Sequence, residues 1–137
     1  MSNRLDTRDW SLSPPQGWET NRDPECVTLV PPSGEGALQL SSHRKGGAVT
    51  ESDLLEFADH HLREGAPRRT VELGSFKGFE IAYETDDAAV REWYLRHESV
   101  LLFATWFCDL LHAGREDEAV EAALVTLKSR PAKRSSS

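Results

Sequence analysis

Three residues of one segment have the types and the spacing that a divalent metal site requires. Glu56, His60 and Glu64 follow one another at intervals of four, so on a helix they share one face. Two carboxylates and an imidazole could bind a divalent cation there. The alternative is a solvated stripe in which glutamate and histidine side chains pair locally. We predict no metal site and no cofactor, and these three residues are the candidates if a site exists.

The rest of the sequence lacks the motifs of common catalytic and cofactor-binding sites. It contains no G-x-G-x-x-G, no Walker-type glycine loop, no G-x-S-x-G and no C-x-x-C. The two cysteines, Cys26 and Cys108, lie in apolar strand-like stretches, where a cysteine usually behaves as a small buried hydrophobe. The sequence therefore predicts no catalytic residue and no enzyme.

Four aromatic residues are candidates for contact with another protein. Trp10 and Trp18 flank a Pro-rich turn at residues 14–17, and tryptophan is enriched at the centres of protein interfaces. The alternative for these two is that they close the open end of the fold. Tyr83 and Tyr94 lie in strand patterns and are expected to face solvent or a partner.

Composition and charge restrict the class of partner. The 137 residues are 38% hydrophobic and 28% charged, with a net charge of −7, which is ordinary for a globular domain. An acidic surface repels phosphate backbones and anionic lipid, so neither nucleic acid nor membrane is predicted as a partner. The acids could attract a basic protein, or could only keep helix faces solvated. No secretory signal is visible, so a cytoplasmic location is expected.

The spacing of apolar residues predicts an α+β domain. A helix is predicted over residues 51–64, started by a capping box at Thr50 and Asp53, and a second helix begins near Glu116. Residues 100–108 are apolar on both faces, which is typical of a central strand covered on both sides. Strands are predicted at residues 9–12, 26–30, 36–43, 70–76, 79–85, 89–97 and 100–108.

These elements predict one domain with the architecture of an α/β/α sandwich. Hairpin-length connections favour a mostly antiparallel sheet of six to seven strands, covered by two main helices. The domain is expected to span residues 8–129, with a flexible N-terminus at residues 1–7 and a disordered basic tail at residues 130–137. An uncovered edge strand would favour a dimer, so monomer and homodimer both stay open.

The order of elements resembles the Mog1/PsbP/DcrB-like superfamily over about residues 10–128. The resemblance rests on the strand–strand–helix–four strands–helix order and on local stretches at residues 36–42, 76–79, 93–95 and 101–105. It implies a sandwich around a curved antiparallel sheet and no catalytic residue. Members of this kind are binding or accessory proteins, among them effector chaperones of secretion systems, lipoproteins, photosystem subunits and a small-GTPase partner.

The expectation for function is a non-enzymatic protein-interaction module of the bacterial cytosol, such as an adaptor, a chaperone or an immunity-type binder. One alternative is a small-ligand carrier with a pocket between sheet and helix, which a copurifying ligand would reveal. The other is a metal-dependent enzyme that uses the first helix, which requires that Glu56 and His60 determine the metal content.

Overall fold

Two antiparallel sheets and three short helices form the part of the chain that the computed structural model describes, residues 4–130 without the side chains of residues 60 and 61. The strands are β1 Leu5–Asp6, β2 Trp10–Leu12, β3 Glu19–Arg22, β4 Val27–Val30, β5 Ala37–Arg44, β6 Arg68–Leu73, β7 Phe76–Glu84, β8 Ala88–His97, β9 Val100–Asp109 and β10 Lys128–Ser129. The helices are α1 Glu51–Phe57, α2 Asp59–Arg63 and α3 Asp117–Leu124, with a 3₁₀ turn at Leu110–His112.

The larger sheet has seven strands in the order β3-β4-β5-β9-β8-β7-β6, and each neighbouring pair is antiparallel. This confirms the predicted α+β class and sheet size. β9 lies at the centre, between β5 and β8, as its apolar composition predicts. The smaller sheet has the order β1-β2-β10, so it joins the beginning of the described chain to its end.

Each face of the larger sheet carries its own apolar cluster. On one face, called the core face here, Trp106 of β9 belongs to the same cluster as Leu12 of the smaller sheet and Leu124 of α3. On the opposite face, called the helix face, Leu54 and Ala58 pack with the strand residues of a second cluster. Fully burying a leucine stabilises the fold by about 1.5–3 kcal/mol. Elements therefore cover both faces, which confirms the predicted sandwich.

The coverage of the helix face is only partial, which differs from the expectation of a strand covered on both sides. Leu101 and Phe103 of β9 pack against the α1 cluster, whereas Phe107 further along the same face is 39% exposed. α1 has seven residues and so is about 10 Å long, whereas a ten-residue strand extends about 33 Å. One short helix cannot cover the whole strand.

The first helical segment begins as predicted and then breaks. The capping box is present, because the Thr50 hydroxyl accepts a hydrogen bond from the Asp53 N–H at 3.2 Å and the Asp53 carboxylate accepts one from the Thr50 N–H at 2.8 Å. The backbone leaves helical geometry at the fully buried Ala58, where φ is −94° and ψ is 7°. The predicted single helix over residues 51–64 is therefore two helices, α1 and α2.

The sequence pattern predicts none of the strands β1, β3 and β10, and the boundary between β6 and β7 differs from the predicted one. β1 and β10 have two residues each, and β3 has the sequence ETNR with all four residues exposed. β1 falls within the segment predicted to be a flexible N-terminus; Leu5 is buried there and pairs with Leu12. Phe76 begins β7 rather than ending β6, because Gly74 and Ser75 turn the chain between them. Residues 1–3 and 131–137 of the predicted ends lie outside the described residues.

Candidate binding surface

A row of apolar side chains crosses four strands on the helix face and extends beyond the part that the helices cover. Phe107 of β9 lies between Ala37 of β5 and Val90 of β8, and Val90 lies opposite Tyr83 of β7. We call Ala37, Phe107, Val90 and Tyr83 the Phe107 row. Phe107 is the most exposed of the four at 39%, and Val90 and Tyr83 are half-buried. Tyr83 packs against the cluster that contains Leu54 and Ala58, so the helices cover one end of this apolar strip and leave Phe107 exposed.

Further exposed apolar groups follow directly after β9. The 3₁₀ turn contains Leu110, which is 38% exposed, and Leu111, which is 86% exposed. Single exposed leucines are ordinary, but a contiguous exposed apolar patch on a monomer marks an interaction site more often than chance. Phe107, Leu110 and Leu111 lie within five consecutive residues and make up three of the five large exposed apolar residues in the described chain.

A histidine fixes the 3₁₀ turn to the loop before β5. The ring Nε2 of His112 lies 2.9 Å from a carboxylate oxygen of Glu35, and Nδ1 lies 3.7 Å from Asp109. The His112 side chain is only 20% exposed. The contact joins the two loops that flank the pair formed by Ala37 and Phe107, so it holds Leu110 and Leu111 beside the sheet.

The end of the sheet that carries this patch is strongly acidic. The turn between β4 and β5, the turn between β7 and β8, and the segment after β9 all lie at this end, because Ala37 pairs with Phe107 and Ala88 pairs with Asp109. Across residues 31–36, 84–88 and 109–118 the only Lys or Arg is Arg115. The acids of these segments are Glu35, Glu84, Asp86, Asp87, Asp109, Glu116, Asp117 and Glu118. We call this region the acidic end; it favours a positively charged partner.

A buried carboxylate supports the Phe107 row from the neighbouring position of β8. Glu92 is 7% exposed, and its two oxygens accept hydrogen bonds from the hydroxyls of Tyr83 at 2.8 Å and Tyr94 at 2.6 Å. Burial raises the pKa of Tyr83 to about 12, helped by the hydrogen bond to Glu92 and by its charge. The pKa of Tyr94 is raised further for the same reasons. Both phenols therefore stay protonated at neutral pH and keep the Tyr83 ring in a fixed position.

The four aromatic residues predicted to contact a partner fall into two groups. Trp10 is 2% exposed and Tyr94 is 3% exposed, so both rings lie in the interior and present no surface. Trp10 is buried because β2 packs against the core face. Trp18 is half-buried, with its ring centroid 5.7 Å from that of Trp106 on the core face. Tyr83 is half-buried and forms one end of the Phe107 row.

The candidate metal ligands are only partly described. Glu56 on α1 and Glu64 after α2 are exposed, and the side chain of His60 lies outside the described residues. Within the side chains that are described, no three of the types His, Cys, Asp and Glu are grouped to hold a metal ion. The hypothesis of a metal at Glu56, His60 and Glu64 stays untested by this geometry.

The two thiols have different surroundings. Cys108 is buried, whereas Cys26 is half-buried, and the two are not joined by a disulfide. Burial raises the pKa of the Cys108 thiol, and the nearby carboxylates of Asp117 and Asp109 add to the effect. A thiol held in its protonated form is a poor nucleophile, so Cys108 contributes packing to the core face.

The residues that dominate the surface could not be selected from the sequence. Phe107 belongs to an apolar run, residues 100–108, that predicts burial on both faces. Its exposure depends on where α1 ends over the sheet, which is a tertiary property. The available signal was the pair Leu110 and Leu111 directly after Asp109, since two leucines beyond the end of a strand have no place in the strand pattern.

Comparison with known proteins extends to the fold only. No family model matches the chain, and no curated protein matches it. Among solved structures, the chain is similar to a protein of Bacteroides thetaiotaomicron known at 1.50 Å resolution, with a TM-score of 0.65 and 16% sequence identity. The match covers 89% of this chain and 45% of that one, so the chain spans less than half the length of the protein it resembles. At this identity the likeness shows a shared fold and carries no function. No helix among residues 4–130 is long and apolar enough to cross a membrane.

Proposed function

We propose that this protein is a non-enzymatic interaction module that binds a basic protein segment at the Phe107 row and the acidic end. The role would be that of an adaptor, a chaperone or an immunity-type binder in the cytoplasm. The observation that carries the proposal is the exposed apolar group of Phe107, Leu110 and Leu111 beside an end of the sheet with eight acids and one arginine. The resemblance of the element order to the Mog1/PsbP/DcrB-like superfamily supports it.

The chemistry of the surface defines the segment that would fit it. Apolar side chains of the partner would pack on Phe107 and Leu111. The apolar area that this removes from water would stabilise the complex by about 25 cal/mol per Å². Lysine or arginine residues flanking those side chains would face the acidic end. Since such exposed charges are screened by salt, the affinity should fall as ionic strength rises.

The test compares partners captured by wild type and by surface variants. The double variant Phe107→Asp with Leu111→Asp places charge on the apolar group, and Val125→Asp is the matched control, because Val125 is an apolar residue 54% exposed outside the patch. A protein captured by wild type and by Val125→Asp, but lost by the double variant, is then purified. Calorimetry should give the double variant a dissociation constant at least ten times larger than that of Val125→Asp. Equal affinities, or no protein that distinguishes them, would contradict the proposal.

A second candidate, a small-ligand carrier, is favoured by a cavity of about 780 Å³ at the other end of β5. The cavity is lined by strands and loops, and not by a helix as the sequence predicts. Ser42 and Arg44 of β5 hold the buried Asp9 there, with the shorter Arg44 contact at 2.8 Å. The volume is in the range of small-molecule sites, and the wall carries Arg8, Asp9, Arg22, Asp23, Glu25 and His43. A polar molecule that copurifies and raises the melting temperature of the apo-protein would favour this function.

A further inference from the structure

Within residues 4–130, neither edge strand of the seven-stranded sheet has a second partner strand. Among the described residues β6 pairs only with β7, and β3 pairs only with β4. Each edge strand therefore presents backbone N–H and C=O groups that have no partner strand. Such a row is a template for pairing with another chain unless the sequence prevents it. The two edge strands differ in whether their side chains favour a particular second strand.

The hairpin between β6 and β7 determines which groups of β6 point outward. Gly74, with φ of 62°, and Ser75 form a two-residue turn, so Leu73 and Phe76 make the closing hydrogen-bonded pair. Along an antiparallel ladder, hydrogen-bonded pairs alternate with pairs that do not bond to each other. Every second residue of β6 therefore directs its backbone groups away from β7. These residues are Arg68, Thr70 and Glu72.

We propose that two copies of this chain pair through β6, antiparallel, about a twofold axis at Thr70. In this register Thr70 faces Thr70 of the second copy, and Arg68 of each copy faces Glu72 of the other. All three facing pairs consist of residues whose backbone groups point outward, so they can exchange six hydrogen bonds. Residues at even spacing lie on one face of the strand, so the facing Arg68 and Glu72 side chains lie side by side and attract each other.

The helix face provides further contact beside this edge. Leu55 and Leu62, both half-buried, line a groove of about 630 Å³ together with Arg68. The Arg68 guanidinium lies 5.5 Å from the centre of the Phe79 ring, which places it on this face. In the twofold arrangement the grooves of the two copies flank the axis on the same face of a continuous sheet. Because the axis closes the pairing, the product is a dimer and not a fibre.

The opposite edge does not offer the same complementarity. In β3, Glu19 and Arg22 are three residues apart and therefore lie on opposite faces of the strand. No antiparallel register between two copies of β3 can place these charges directly opposite each other on one face. Arg22 is also engaged, since it donates a hydrogen bond to the carbonyl of Asp6 at 2.7 Å. Facing charges of opposite sign are thus available to two copies of β6 and not to two copies of β3.

Proline substitution tests the edge assignment directly. Thr70→Pro removes an N–H that points outward, so it blocks pairing and leaves the β6–β7 hydrogen bonds in place. Thr20→Pro is the matched control on β3. The Asp23 N–H donates to the Cys26 carbonyl at the end of this strand, so the same alternation directs the backbone N–H of Thr20 away from β4. Light scattering and sedimentation over a concentration series should give wild type and Thr20→Pro a mass near twice 15.3 kDa at high concentration. Thr70→Pro should stay near 15.3 kDa.

A charge exchange tests the register. Arg68→Glu places two glutamates opposite each other at each facing pair, and Glu72→Arg places two arginines there. Each single variant should raise the dissociation constant of the dimer at least tenfold. The double variant should restore the wild-type dissociation constant, because it exchanges the two charges and keeps opposite signs facing each other. A wild-type protein that is monomeric at every concentration overturns the proposal, as does a dimer that Thr70→Pro leaves intact. Failure of the double variant to recover overturns the register. Circular dichroism on each variant establishes that it is folded.

Discussion

At the scale of single residues, the tyrosines show what a sequence pattern can and cannot place. The alternation in residues 79–85 puts Tyr83 on one face of its strand, and the structure agrees. The pattern does not reveal that Glu92, two positions before Tyr94, turns both hydroxyls inward. The sequence does not distinguish a glutamate that tertiary packing buries from one that is exposed to solvent, so local spacing cannot identify the buried Glu92.

The hydroxyl groups of these two tyrosines should titrate far from the usual range. The chain has only two tyrosines, and a free phenol has a pKa of about 10. Since the pKa of Tyr83 is raised to about 12, its protonated form stabilises the fold fully below the unfolded pKa, and this stabilisation is lost as pH rises through the folded value. Phenolate absorbance of the native protein should stay low at pH 10 and rise near pH 12, and urea should move the transition down to about pH 10.

Two variants separate the two contributions to that titration. Tyr94→Phe should keep the transition of Tyr83, whereas Tyr83→Phe should leave only the more strongly shifted Tyr94. A native protein in which either phenol ionises near its ordinary pKa would contradict the buried Glu92 arrangement, because that arrangement places a carboxylate against each hydroxyl.

At the scale of elements, one ion cluster around the buried Glu80 joins three strands and a helix. Glu80 of β7 accepts from Arg69 of β6 and from Arg91 of β8, the latter at 2.7 Å. Arg91 also reaches Glu121 of α3 at 2.9 Å. Glu80 is 6% exposed, and a buried carboxylate needs such partners to stay ionised. The cluster holds α3 on the core face without contributing to its apolar packing.

Replacing Glu80 by glutamine should destabilise the protein in a pH-dependent way. Burial raises the pKa of Glu80, but hydrogen bonds and charge from Arg91 and Arg69 outweigh burial and hold it below its ordinary value. The stabilisation is therefore present above the unfolded pKa and is lost as pH falls through the lower folded pKa. At pH 7, Glu80→Gln should lower the free energy of unfolding by about 3 kcal/mol, and this difference from wild type should shrink in acid.

The matched control is Glu84→Gln, the same substitution at an exposed residue of the same strand. Its free energy of unfolding from urea titration should differ from wild type by about 0.5 kcal/mol or less, as for most surface substitutions. An effect of Glu80→Gln that is equal at pH 7 and in acid would show that the residue acts through packing and not through its charge.

The elements that the sequence predicts correctly are those with a local cause. The capping box at Thr50 and Asp53 and the alternation of β7 act within a few residues, and both are found. β3 has no apolar residue, so only its pairing with β4 makes it a strand. Likewise the surface at Phe107 depends on the length of α1 relative to β9, and the identity of the edge strands depends on the order of strands in the sheet.

At the scale of the whole molecule, the order of strands creates a gradient of protection. β9 is hydrogen-bonded on both sides to strands of eight and ten residues, β5 and β8. β3 has four exposed residues and only one neighbouring strand. Opening β9 requires separating both halves of the sheet, whereas β3 can detach without disturbing either apolar cluster.

Amide hydrogen exchange should follow this gradient. Exchange of the most protected amides of β9 should require global unfolding, so their opening free energy should equal the free energy of unfolding measured with urea. Amides of β3 that bond to β4 should open locally, with an opening free energy lower by several kcal/mol. Equal protection in β3 and β9 would contradict the expectation that β3 detaches without disturbing either apolar cluster. Protein concentration provides a second readout in the same experiment. Protection of the outward amides of β6, at Arg68, Thr70 and Glu72, should rise with concentration. Protection of the outward amides of β3, at Thr20 and Arg22, should not, so the measurement distinguishes local opening of an edge strand from pairing at that edge.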